Sequence, residues 1–108
     1  MDELLKALSV AKRRDIIRLV WARELPATQI AEYFPDVTRP AISQHLSVLK
    51  ANGILRERRE GTRRLYRVNR GEFVKLRAFV DSFWSGGLER WDDLDDAAPS
   101  DSTRVSSS

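Results

Sequence analysis

The sequence has 108 residues, close to the commonest size of a single domain, and its lack of cysteine excludes a disulfide framework and thiolate metal sites. No apolar run is long enough to span a membrane, and no signal peptide follows the acidic residues Asp2 and Glu3, so we expect a cytoplasmic protein. The net charge of +3 is unevenly spread: residues 37–70 hold nine basic and two acidic side chains, and this basic segment predicts a polyanionic partner.

Four helices are predicted in the first half of the chain. Residues 2–9 form a short apolar helix, and residues 11–24 form a second helix with one broad buried face. That face is supplied by Ile16, Ile17, Leu19, Val20 and Trp21. Pro26 interrupts the pattern, and a third helix covers about residues 27–34, where Pro35 ends it.

The fourth helix has the clearest start and stop signals. Thr38 is a favoured N-cap and Pro40 fits a first helical turn, although Arg39, which precedes the proline, is an alternative cap. The pair Asn52–Gly53 stops the helix. Its buried stripe repeats at i, i+4 and i+7 and consists of Ile42, Leu46 and Leu49.

After the fourth helix the apolar pattern changes to that of strands. Residues 54–59 and 64–68 predict two short strands joined through Gly61, which can adopt a positive φ in the turn. A last helix follows at about residues 72–91, and Gly86–Gly87 weaken or end it. Its apolar face consists of Phe73, Leu76, Phe79, Val80, Phe83 and Trp84.

The order of these elements predicts a fold that is mainly α (α+β). It is a winged helix-turn-helix with about five helices and a two-stranded β-hairpin wing. We assign residues 1–91 to one domain for DNA binding and dimerisation. The acidic, serine-rich residues 92–108 have little to bury, and we predict a disordered tail there.

The outward face of the fourth helix suits the major groove of DNA. Its side chains are small and polar, so the helix backbone can approach the base edges. Gln44 can pair with adenine and Arg39 with guanine. Thr38, Ser47 and Lys50 are better placed to contact phosphates. The predicted DNA contacts are Thr38, Arg39, Pro40, Ser43, Gln44, His45, Ser47 and Lys50. An ordinary solvated helix face is the simpler alternative, and the neighbouring turn and basic hairpin argue against it.

His45 is the only histidine, and its helical angle lies between the buried stripe and the outer face. A DNA contact and a packed structural role therefore both remain open. With one histidine and no cysteine the sequence lacks a plausible pair of nucleophile and base. We predict that the protein is not an enzyme and has neither a metal site nor a cofactor.

Arginines cluster at the predicted hairpin. Charged residues can protect strand edges from unwanted pairing, but their number here exceeds that need. We predict that the wing contacts the DNA backbone and inserts an arginine into the minor groove. The predicted wing contacts are Arg59, Thr62, Arg63 and Arg64.

Several apolar side chains are left over once the core of the second to fourth helices is assembled. Large exposed apolar patches mark interfaces, so we predict a two-fold homodimer through the first and last helices. Its contacts are Leu4, Leu5, Leu8, Phe79, Phe83 and Trp84. Such a dimer sets two recognition helices about one helical turn of DNA apart. An unidentified apolar effector could bind beside Trp84 and Trp91, or these aromatics only pack.

The sequence resembles the ArsR family of bacterial repressors over roughly residues 4–91. The likeness is carried by Thr38–Leu46 with Gly53–Leu55, and by Arg58–Gly61 with Tyr66–Val68. It implies a homodimeric winged-helix repressor that occludes a promoter. The positions that lie at the major groove in the family match Arg39, Pro40, Ser43 and Gln44.

The sequence lacks the ligands of two metal sites that occur in the family. Where metal-sensing members carry Cys-x-Cys, this chain has Pro26–Thr28, and Asp81–Phe83 keeps only the aspartate of an Asp-x-His motif. The resemblance is therefore to the metal-independent branch, and no inducer follows from it. We predict a repressor that binds a pseudo-palindromic operator in double-stranded DNA, acting at the nucleoid. A winged-helix module that binds other proteins is the alternative.

Overall fold

The computed structural model describes residues 1–95, with side chains described up to Trp84. The chain divides into two compact units, Met1–Val74 and Lys75–Ser108. Within the described residues the helices are α1 Asp2–Leu8, α2 Ala11–Leu19, α3 Ala27–Glu32, α4 Arg39–Ala51 and α5 Arg70–Asp95. The strands are β1 Leu25–Pro26, β2 Leu55–Glu60 and β3 Arg63–Val68.

The core of the first unit is formed by the inner faces of its helices and the sheet. Ile16 of α2, Ile30 of α3 and Leu49 of α4 are fully enclosed. The predicted stripe of α4 is confirmed, since Ile42 and Leu46 are also buried. Burying such a side chain contributes roughly 1.5–3 kcal/mol, so this stripe fixes which face of α4 points outward.

The sheet has one strand more than the predicted hairpin. The order is β1-β3-β2, all antiparallel, and the short β1 pairs Leu25 with Tyr66 and Pro26 with Leu65. The sequence analysis did not predict β1, because two residues are too few to show the alternation of apolar and polar side chains that marks a strand. Proline is tolerated here because β1 is an edge strand and needs no donor on its outer side.

The hairpin itself matches the predicted one to within a residue at each strand end. Leu55 pairs with Val68 at its base and Glu60 with Arg63 at its tip. Gly61 has φ +63°, a conformation that suits the tight turn and that side chains with a Cβ rarely adopt. Gly53, at φ +74°, ends α4 in the same left-handed region.

Two helices end elsewhere than predicted. α2 stops at Leu19 rather than near residue 24, so Trp21 leaves the predicted buried face and is 38% exposed. Trp21 instead meets Phe73 edge to face, with ring centroids 5.0 Å apart. α5 runs through Gly86–Gly87 to Asp95, which places the first residues of the predicted tail in a helix. Residues 96–108 of that tail lie outside the described part of the chain.

None of the helices in the described part of the chain combines the length and the apolar character that crossing a membrane requires.

Candidate nucleic-acid interface

The N-terminus of α4, the predicted recognition helix, is capped by a side chain of the residue before it. Thr38 has an extended backbone, and its Oγ1 accepts a hydrogen bond from the backbone N–H of Ala41 (3.2 Å). Thr38 rather than Arg39 is therefore the N-cap, and the hydroxyl proton of Thr38 is still free to be donated to a phosphate. Pro40 occupies the first turn, where a missing donor costs nothing.

The outer face of α4 carries polar groups that the rest of the described chain does not engage. Arg39, Ser43, Gln44 and Ser47 are exposed, and no hydrogen bond or ion pair to another described residue involves their side chains. The helix contains no acidic residue. An uncommitted donor-rich face without negative charge is what a helix needs to enter the major groove.

The tip of the wing brings like charges together. Arg59 lies directly across from Arg64 in the β2–β3 register, and like charges in that position are destabilising. Arg59, Thr62, Arg63 and Arg64 are all exposed. Arg63 donates to Glu60 (3.0 Å) and Arg64 Nε lies 3.7 Å from Glu57 Oε2, whereas no acid in the described residues pairs with Arg59. A nearby polyanion would relieve the repulsion between the paired arginines.

Glu57 of β2 connects the hairpin to α4, a link that the sequence analysis missed. Lys50 Nζ donates to Glu57 Oε1 (2.9 Å), and the Tyr66 hydroxyl donates to Glu57 Oε2 (3.0 Å). The Glu57 side chain is only 13% exposed. Chiefly the Lys50 hydrogen bond lowers its pKa, against the opposing effect of burial. Lys50, predicted as a phosphate contact, thus holds the end of α4 against the sheet.

This arrangement matches known proteins. The matching family model is described as bacterial regulatory protein, arsR family, and covers residues 11–57. The chain is 35% identical over 100 residues to an HTH-type transcriptional regulator of Mycobacterium tuberculosis, Rv2034, covering 93% of this chain and 92% of that protein. The chain belongs to the ArsR family. It is also 35% identical over 69 residues to the Bacillus subtilis transcriptional repressor SdpR, covering 64% of this chain and 76% of SdpR.

Solved structures of ArsR-like regulators share the fold. An ArsR-like transcriptional regulator from Rhodococcus sp. RHA1 gives a TM-score of 0.77 at 25% identity, covering 92% of each chain. A possible transcriptional regulator for arsenical resistance gives a TM-score of 0.69 at 34% identity, covering 93% of this chain and 99% of that one. The predicted winged helix-turn-helix is confirmed. The ArsR family is one of DNA-binding transcriptional regulators and not of enzymes, as the sequence predicted.

In this ArsR-family chain, His45 is half-buried and faces α2. Arg13 Nε donates a hydrogen bond to His45 Nδ1 (3.3 Å), which requires the neutral imidazole. Burial lowers the pKa of His45, and the positive charges of Arg13 and Lys12 lower it further. The structure thus gives His45 a packing role between α2 and α4, and only Nε2 remains for the predicted DNA contact.

We expect acid to destabilise the regulator through His45. Because the folded state depresses the pKa of this imidazole, the unfolded state binds more protons as the pH falls below about 6.5, the ordinary histidine value. Its contribution to stability is complete above that pH and is lost on the way down to the folded pKa. Thermal unfolding at pH 7.5 and 5.5 should show a fall in midpoint that His45→Gln reduces. An equal fall in both proteins would contradict the assignment.

A second stability prediction concerns Glu57. Glu57→Gln removes the charge that Lys50 and Tyr66 both contact, and we expect a loss of about 1–2 kcal/mol in the free energy of unfolding at pH 7. Since the folded pKa of Glu57 is lowered, its stabilisation is present above about pH 4.5 and is lost as the pH falls through the folded value. Urea unfolding at pH 7 and pH 4 measures both effects.

The matched control for Glu57 is Glu60→Gln at the wing tip. Glu60 pairs with Arg63, but both side chains are more than half exposed, and exposed pairs contribute little. The two variants remove the same charge from the same strand. Equal destabilisation by both would show that Glu57 has no special role in joining α4 to the wing.

The residues predicted for dimerisation differ in how much of each side chain is exposed to solvent. Leu4 is buried inside the first unit at 7% exposure and Leu8 is half-buried, whereas Leu5 is 40% exposed. In the second unit, Phe79 is half-buried and meets Phe83 edge to face, at a centroid distance of 4.9 Å. Phe83 and Trp84 are 63% and 66% exposed. Trp91, beside which an effector was considered, lies outside the described side chains.

Among the side chains that the structure describes, no three histidine or carboxylate groups come together in the way that a metal site requires.

Proposed function

We propose that this ArsR-family chain is a repressor that reads a pseudo-palindromic operator as a homodimer. The observation that carries the proposal is the outer face of α4, where Arg39, Ser43 and Gln44 are exposed and uncommitted. Arg59 and Arg64 project from the same side of the hairpin as Glu57, which is bonded to α4. Base-reading groups and backbone-gripping charges can therefore act together on one duplex.

Each copy offers exposed apolar side chains to a second copy. Leu5 on α1 and Phe83 and Trp84 on α5 expose large apolar surface, which is costly in water and typical of interfaces. Leu4 adds to the monomer core and contributes less to the proposed contact than the sequence suggested. A two-fold dimer gives two recognition helices, and so an operator with two related half-sites.

We further propose that repression does not depend on a thiolate-bound metal. Two similar proteins, from Staphylococcus xylosus and Staphylococcus aureus, are named arsenical resistance operon repressors and are 30% identical over 69 residues. This sequence has no cysteine, so no thiolate can form on it. We place the regulator in the cytoplasm, at the nucleoid. It acts either with a small effector molecule of unassigned chemistry or without an effector.

Selection of genomic DNA fragments by the purified protein tests the proposal. We expect a shared motif with two half-sites and binding that weakens steeply as salt is raised, because phosphate contacts release counterions. The alternative, a winged-helix module that binds other proteins, predicts no enriched motif and no salt-sensitive complex. That outcome, with a protein shown to be folded, would overturn the proposed function.

A further inference from the structure

The hairpin has a second arginine pair, on the face opposite the one that meets the recognition helix. Side chains alternate between the two faces of a strand, so Arg56 and Arg67 lie on the other side of the sheet from Glu57 and Tyr66. Arg56 and Arg67 are directly opposite each other in the register. Since Glu57 bonds to Lys50 of α4, this second pair faces away from the groove-reading helix.

The repulsion between these arginines is offset only in part by the described residues. Both side chains are exposed, and no hydrogen bond or ion pair to another described residue involves either guanidinium. Glu24 attracts Arg67 through its charge but forms no hydrogen bond or ion pair with it. Both of its carboxylate oxygens accept hydrogen bonds from Arg58, at 2.7 to 3.2 Å.

A third arginine beside the pair is held in place. Arg70, the first residue of α5, donates from Nε and Nη2 to the carbonyl oxygen of Trp21, at 3.3 and 2.9 Å. Its guanidinium also lies over the Trp21 ring, 5.4 Å from the centroid. These contacts reduce the conformational entropy that binding would cost, and they leave Nη1 free to donate.

The three arginines line one concavity. A pocket of about 330 Å³ is bounded by Arg56, Arg67, Val68, Asn69, Arg70 and Gly71. That volume lies at the small end of the range for small-molecule sites. Asn69 Oδ1 already accepts from the Gly71 N–H (3.3 Å), so the guanidinium groups and not the helix end supply the donors.

We infer that Arg56, Arg67 and Arg70 form a phosphate-binding site that is separate from the groove-reading surface. Guanidinium groups bind phosphate oxygens through paired, charge-assisted hydrogen bonds, and a doubly charged phosphate neutralises an arginine pair that has no hydrogen-bonded acid among the described residues. The phosphate is either part of a small ligand or part of a DNA backbone that reaches this face. The site does not require the proposed operator, and the phosphate titrations that detect it do not require DNA.

Titration of the full chain with inorganic phosphate and with tripolyphosphate, at constant ionic strength, tests the site. We expect backbone amide shifts at Arg56 and at residues 67–71 in NMR spectra, separate from any shifts at the wing tip around Arg59 and Arg64. Arg56→Gln with Arg67→Gln should weaken tripolyphosphate binding by about tenfold or more, since each lost charged hydrogen bond costs more than one neutral bond. The control is Arg59→Gln with Arg64→Gln, which removes the same two charges from the other face of the hairpin.

The outcomes separate the two sources of phosphate. If the Arg56/Arg67 variant loses anion binding but keeps the salt dependence of DNA binding, a small phosphorylated ligand occupies the site. If it also lowers the slope of that dependence, by about 0.9 for each lost contact, the site holds DNA backbone. If the phosphate-induced shifts at Arg56 and residues 67–71 fell equally in both double variants, or in neither, the proposal would be overturned. Circular dichroism of each variant establishes that it is folded.

Discussion

Replacing Phe83 by aspartate should make the regulator monomeric and weaken its binding to a two-half-site operator by about 10²-fold or more, the gain that linking two binding modules typically provides. Phe83 is 63% exposed in the single chain, so the change removes little monomer core. In the proposed dimer the same change buries an unpaired carboxylate, which is strongly unfavourable. Sedimentation equilibrium measures the mass, and fluorescence anisotropy measures the affinity for the selected operator.

The control for Phe83 is Val74→Asp on the same helix. Val74 is 68% exposed and lies nine residues earlier, which is two and a half helical turns and hence the opposite face of α5. Val74→Asp should remain dimeric and bind the operator normally. A dimeric Phe83→Asp protein with full affinity would show that this face of α5 is not the interface.

Replacing Gln44 by alanine should relax sequence preference while leaving binding to unrelated DNA largely unchanged. A bidentate contact to a base is worth about 1–3 kcal/mol of discrimination, and a dimer makes it twice, so the preference for the operator should fall by about 30-fold or more. Gln44 is exposed and uncommitted within the described chain, so the substitution should not alter stability. Competition between the operator and a scrambled duplex at one salt concentration measures the ratio.

Arg59→Ala provides the contrasting variant. No acid in the described residues pairs with Arg59, whereas Arg63 is paired with Glu60, so Arg59 gives the cleaner test of the wing. Its loss should weaken binding to all sequences equally and lower the salt slope by about one unit per copy. If the Gln44 and Arg59 variants lost affinity equally on every sequence, the base-reading role of Gln44 would be wrong.

Elements whose ends are set by residues adjacent in the sequence could be predicted from the sequence. α4 was placed to within a residue, because Thr38, Pro40 and Asn52–Gly53 act through local backbone geometry. The hairpin was found because strand alternation and Gly61 are likewise local signals. α2 was predicted too long, since apolar residues continue past Leu19 although the backbone leaves the helix there.

The parts of the site that depend on distant residues could not be predicted in the same way. Arg13 and His45 are 32 positions apart, and the helix pattern of α4 could place His45 at the border of the core but not name its partner. Lys50 was predicted on the outward face of α4 and is exposed there, yet its link to Glu57 depends on how the hairpin packs against α4.

The sequence by itself determined that α4 turns a small, polar and basic face outward, because helical periodicity and one apolar stripe suffice to orient a helix. It also determined that the hairpin is rich in arginine. Only the tertiary structure decided which arginines share a face and which have acidic partners. Strand register sets Arg59 and Arg64 on the side of α4 and Arg56 and Arg67 on the other, and a one-residue slip would reverse that assignment.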